Sequence, residues 1–111
     1  MTVGKYKLRS GVEADLDGYA RYIAKDSLIA ARRLYDKAQE TLQMLADMPL
    51  MGTPYRAIRN KSSGIRFAPI KDYPNHLIYY RPQDGFIDVL CILHARMDKG
   101  PKVAPYLLDS G

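Results

Sequence analysis

His94-Ala95-Arg96-Met97-Asp98 is the stretch with the clearest chemical potential. A histidine gains and loses a proton near neutral pH, so His94 can serve as general acid or base. Arg96, two residues on, can hold a phosphate or carboxylate in a fork, and Asp98 can orient either side chain. The plainer alternative is that Arg96 and Asp98 pair with each other and tie down a strand end. His76 is the other histidine, and its default role is structural. Asp88 lies within the apolar run from Phe86 to Leu93, and a buried carboxylate there needs a cation. Arg81 and Arg66 are the candidates, and the expectation is a structural salt bridge. Cys91, the single cysteine, lies in the same run and reads as a small buried hydrophobe. It has no partner for an internal disulfide, which suits a reducing cytoplasm. No phosphate-cradling glycine loop, nucleophile elbow or Cys/His metal cluster is visible, so no metal or cofactor is expected.

The chain has 17 basic and 12 acidic residues, a formal net charge of +5. The excess is local. Residues 56–71 hold Arg56, Arg59, Lys61, Arg66 and Lys71 and no acid. A concentrated basic stretch fits an acidic partner, whether protein or nucleic acid. The nine tyrosines include the pair Tyr79-Tyr80, which places one ring on each face of a strand. Those rings either fill the core or stack on a partner.

These side chains need a scaffold, and 111 residues are enough for one domain with one core. No apolar run is long enough to span a membrane, and the first residues lack the apolar stretch of a secretion signal. Tyr6 to Arg9 alternates as a short first strand. Ser10-Gly11-Val12-Glu13 fits a capping box. Behind it, Val12, Leu16, Tyr19, Ala20 and Ile23 form one apolar helix face. Asp26-Ser27 can cap a second helix, with a stripe of Leu34, Ala38, Thr41, Leu45 and Met48 widened by Ala31 and Leu42. Pro49 ends it. The short link predicts an antiparallel helical hairpin. Leu50 to Gly64 reads as a basic loop. Three strands follow: Ile65–Ile70, with an edge or bulge at Pro69; His76–Arg81; and, after the turn at Asp84-Gly85, Phe86–Leu93. The last is apolar at nearly every position, as a central strand covered on both faces would be. The order β-α-α-β-β-β predicts a two-layer α+β domain. The N-terminal helical hairpin packs on one face of a mostly antiparallel sheet. Residues 1–98 form the domain, and residues 99–111 are a tail, either docked or ordered by a partner.

Four pieces in this order resemble the RelE/ParE superfamily of toxins from bacterial type II toxin–antitoxin pairs. They are Tyr6 to Tyr22 with Ala14-Asp15-Leu16 and Tyr22-Ile23-Ala24; Ala30-Ala31-Arg32-Arg33-Leu34 followed by Leu45 to Gly52; Leu77-Ile78-Tyr79-Tyr80-Arg81; and Ile87 to Asp98. The resemblance implies a cytoplasmic toxin neutralised by an acidic antitoxin. RelE-like members cleave mRNA on the ribosome. ParE-like members poison DNA gyrase. The basic residues of the nuclease pattern are only partly present. Arg66, His94 and Arg96 stand at its places, one basic site is changed to His76, another is lost to Ala68, and Tyr106 lies further along than the pattern wants. The H-x-R-x-D ending at His94, Arg96 and Asp98 is closer to ParE. The resemblance therefore implies a ParD-like antitoxin and a gyrase target, with His94, Arg96, Asp98 and Tyr106 bearing on toxicity. Arg56, Arg59, Arg66, His76, Tyr79 and Tyr80 would bind the antitoxin. In the alternative, a ribosome-dependent endoribonuclease, His94, Arg96, Arg66 and Arg81 would carry the chemistry. A third reading is a non-toxic homologue that only binds antitoxin.

Overall fold

The computed structural model describes residues 4–56, 64–97, 102, 103 and 105. Strand β1 (Lys5–Leu8) leads into helix α1 (Val12–Ala24), then helix α2 (Leu28–Asp47) and a single 3-10 turn (Pro49–Met51). Strands β2 (Thr53–Pro54), β3 (Arg66–Ile70), β4 (Tyr73–Gln83) and β5 (Phe86–His94) complete the domain. The sheet order is β1-β5-β4-β3-β2. β1 runs parallel to β5, and the other pairs are antiparallel. The expected α+β architecture is present, with one strand more than the sequence suggested. β2 is only two residues long, too short for any periodicity to reveal.

The entry to α1 differs from the expected capping box. The Arg9 amide continues the β1 pairing by donating to Val89 O. The chain must then turn into the helix within two residues. Gly11 makes that turn at φ 99°, a left-handed conformation that a residue without Cβ adopts freely. Ser10 is thereby left outside the cap, and no side chain caps α1. The α2 cap is as expected, with Ser27 Oγ accepting from the Ala30 amide at 3.1 Å. The hairpin is pinned across its helices by the Tyr35 hydroxyl, which donates to Asp17 Oδ1 at 2.6 Å. Met48 leaves the expected stripe because the helix ends at Asp47 and the chain turns at Met48, which is exposed.

The helices bury Val12, Leu16, Leu34, Leu42 and Leu45 against Ile78, Tyr80, Ile87, Val89 and Ile92 of the sheet. The opposite face carries a second cluster around Tyr79, Leu90, Cys91 and Leu93, covered by Tyr55, Phe67 and Val103. Both faces of β5 are therefore buried, as its unbroken apolar run implied. Tyr79 lies opposite Cys91 and Tyr80 opposite Val89, so Leu90 is an extra residue, a β-bulge. A second irregularity falls between Pro69 and Ile70, where a bulge was expected.

Candidate functional site

The site begins where β1 ends. β1 stops at Leu8, opposite Val89, while β5 runs on to His94. The exposed edge of those last residues would hold unpaired amides and carbonyls. Side chains of α1 satisfy them. Asp15 Oδ2 accepts from the Ile92 amide at 3.2 Å. The Tyr19 hydroxyl donates to Ile92 O at 3.1 Å and accepts from the His94 amide at 3.1 Å. These two residues stand four apart on one helix face and act in place of a neighbouring strand.

This fastening forms a cleft of about 650 Å³ between α1 and the adjoining ends of β4 and β5. Ala14, Gly18, Tyr22 and Ile23 line its helical wall, and His76, His94 and Arg96 line the sheet side. His76 is directly opposite His94 in the β4–β5 register, with ring centroids 5.2 Å apart at 84°. The Tyr19 ring meets His76 edge-on at 4.8 Å. His94 Nδ1 accepts from the Arg96 amide at 3.1 Å. The proton of neutral His94 therefore sits on Nε2, which is left to donate. Arg96 is exposed beside it.

Burial raises the Asp15 pKa, against the lowering effects of the Ile92 amide and Lys102. Burial also raises the Tyr19 phenol, opposed by its hydrogen bond from the His94 amide. His76 is held below the usual imidazole value, first by burial and then by neighbouring His94. Its Nδ1 is buried without a hydrogen-bond partner. The cleft thus offers donors at His94 and Arg96 beside an apolar helix wall. Donors of that kind suit an anionic group, although the Asp15 carboxylate lines the same cleft. Cys91 is on the other face of the sheet, where burial pushes its thiol up to about 12, so it is no nucleophile at neutral pH. Among the described residues, no three His, Cys, Asp or Glu side chains come together as metal ligands. No helix among them is long and apolar enough to cross a membrane.

The structure divides the residues singled out from sequence. His76, expected with the antitoxin-binding set, joins His94 and Arg96 in the cleft. Arg66 does not line the cleft. Its Nη1 donates to Gly52 O at 2.7 Å and Leu50 O at 3.2 Å, holding the 3-10 turn to β3. Arg81 is 5% exposed and lies opposite Asp88, on the sheet face turned away from the helices. The four nuclease candidates therefore do not converge. Tyr79 and Tyr80 offer no ring to a partner, because both are wholly buried. Tyr79 packs between Phe67 and Tyr55, and burial pushes its phenol up to about 12. Tyr80 donates to Pro49 O at 2.7 Å and accepts from the Gly52 amide at 3.0 Å. The expectation of an open sheet surface lined by these two tyrosines is thereby corrected, since both are core residues. Asp88 is gripped chiefly by Arg9, not by Arg66, through Nε at 3.0 Å and Nη2 at 2.7 Å. Arg56 is exposed, while Arg59, Asp98 and Tyr106 lie outside the described residues. Asp15, Tyr19 and Gly18 were not singled out as site residues. The signal was two polar tips, four apart, on an apolar helix face.

Residues 6–99 match the family described as ParE toxin of type II toxin-antitoxin system, parDE. The fold and this match define the class as the toxin of a type II toxin–antitoxin pair. The chain belongs to the ParE toxin family. A solved structure described as the chromosomal ParDE TA system from P. aeruginosa has the same fold, with a TM-score of 0.66 at 18% sequence identity. The alignment covers 85% of this chain and 98% of that one. No curated protein matches significantly.

Proposed function

We propose that this chain is a ParE-type toxin that inhibits DNA gyrase without cleaving RNA and is neutralised by an acidic, ParD-like antitoxin in the bacterial cytoplasm. The observation that carries the choice between targets is the dispersal of the cations. RNA cleavage through a 2′-hydroxyl needs a base, an acid and cations around one phosphate. Only His94 and Arg96 of the four candidates share a cleft, with Arg66 tied to backbone carbonyls and Arg81 buried across the sheet. Membership of the ParE family supports the same reading.

Cells expressing the chain alone test it. Gyrase poisoning predicts filamentation and a DNA-damage response while translation continues. Immediate translation arrest with mRNA cleavage would favour the nuclease instead, and unaffected growth would favour a non-toxic homologue.

A further inference from the structure

Ten large hydrophobic side chains are exposed among the described residues, and six of them lie at the two ends of α2. Leu28 and Ile29 open the helix. Met44 and Met48 close it, and Leu50 and Met51 follow on the 3-10 turn. Single exposed hydrophobics are ordinary, whereas two groups at the ends of one helix mark a surface that is covered in use. Neither group is loosely held. Ser27 caps the first, and the Tyr73 hydroxyl donates to Ala30 O at 2.6 Å just behind it. Tyr80 and Arg66 hold the turn that carries the second. Ile29 at 70% exposure and Leu50 at 71% therefore stand on fixed backbone.

The outer face of α2 between these ends is charged. Ile29, Arg33, Asp36, Glu40 and Met44 are all exposed and recur at intervals of three or four, so they form one stripe. Its cations, Arg33 and neighbouring Arg32, lie toward Leu28 and Ile29, and its acids, Asp36 and Glu40, lie toward Met44. Among the described residues, Arg32, Arg33 and Asp36 make no ion pair. Glu40 meets Lys37 at 3.2 Å and Lys71 at 3.7 Å and is still half exposed.

This pattern is complementary to itself when turned end over end. A second α2 laid antiparallel sets Arg33 between Asp36 and Glu40 of the other copy, and two-fold symmetry repeats the contact. The same pairing brings the Leu28 and Ile29 end of each copy toward the methionines of the other. A parallel pairing would set like charge on like. The 20 residues of α2 span about 30 Å, enough to seat both apolar ends and the charged middle at once. The net charge of +5 opposes association of the chain with itself, but this stripe is balanced, two cations against two acids. We propose that the outer face of α2 is the interface of an antiparallel, two-fold dimer of this chain. α2 contributes no lining residue to the α1–β5 cleft, so the proposal stands apart from what that cleft receives.

Sedimentation equilibrium of the full chain between about 1 and 100 μM tests it, and the chain should pass from monomer to dimer in that range. Ile29→Asp, Arg33→Glu and Asp36→Arg should each weaken the dimer at least about 10-fold. Combining Arg33→Glu with Asp36→Arg restores opposite charges across the two-fold axis and should recover affinity to within about threefold. Asp84→Arg, exposed on the β4–β5 turn, should leave the dimer unchanged. A chain that stays monomeric throughout overturns the proposal. So does a dimer that no α2 variant weakens, or a combined variant no better than either single one. A monomeric chain whose α2 variants lose the antitoxin assigns the face to that partner and overturns it too. Should a variant not fold, dilution of the unsubstituted chain decides. The amide resonances of Ile29, Arg33 and Met44 must shift with concentration, and unmoved resonances there contradict the dimer.

Discussion

Arg9 and Asp88, 79 residues apart in the chain, form a bidentate ion pair just beyond the end of β1. It fastens the turn leading into α1 to β5 near that strand's start and so fixes where the helix begins. Arg9→Ala leaves a carboxylate whose side chain is only 13% exposed without its main partner. The expected loss is about 1–3 kcal/mol of unfolding free energy. It is less than for a fully buried pair because the Arg9 side chain is 40% exposed and screened by water. Urea titration measures it, and an unchanged midpoint would show that the pair holds nothing.

The Tyr80 hydroxyl bridges Pro49 O and the Gly52 amide, so Tyr80→Phe strips a part-buried carbonyl and a buried amide of one shared partner. The expected loss is about 1–3 kcal/mol. Gly52→Ala should do comparable damage, roughly 1–3 kcal/mol, because its Cβ would run into the Tyr80 ring and hydroxyl. Thermal or urea unfolding of both variants checks this, and stability equal to that of the unsubstituted chain would contradict the bridge.

Tyr19→Phe removes the hydroxyl that joins Ile92 O to the His94 amide. The end of β5 should loosen while the rest of the sheet is unaffected. Hydrogen exchange at the His94 amide is expected to accelerate, since that amide loses its acceptor. Exchange at the Ile78 and Val89 amides, in the interior of the sheet, should stay slow.

Stability should fall on mild acidification. Burial beside His94 keeps the folded pKa of His76 below its ordinary value near 6.5. The unfolded chain therefore takes up that proton first. The contribution is complete above about pH 6.5 and is lost as pH falls through the lower, folded value, with a slope of at most about 1.4 kcal/mol per pH unit. His76→Gln should flatten that part of the profile. Asp15 acts in a different window and with the opposite sign. Its folded pKa is raised above 3.8, so its contribution is complete at lower pH and disappears as pH climbs through the raised value. Unfolding curves between pH 4 and 8 separate the two.

Much of this architecture is legible in the residues. The α2 stripe, the Ser27 cap and the apolar run of β5 are local patterns, and each has its expected form apart from Met48 at the end of the stripe. Patterns of that kind carry no record of which strands become neighbours. Proximity in sequence points Asp88 to the nearby strands, whereas its partner Arg9 follows directly on β1, which pairs in parallel with β5. The tyrosines misled for a related reason. Alternation puts Tyr79 and Tyr80 on opposite faces but cannot say that both faces are covered. Tyr19 was read as apolar because only its ring follows the helical period. Its hydroxyl reaches a strand edge that exists only once β1 has stopped short.

The most direct test of the central claim is a supercoiling assay with purified gyrase and purified chain. Inhibition at micromolar concentration, relieved by adding the antitoxin, is the predicted result. Unimpaired supercoiling at that concentration, together with transcript cleavage in a translating extract, would contradict the account.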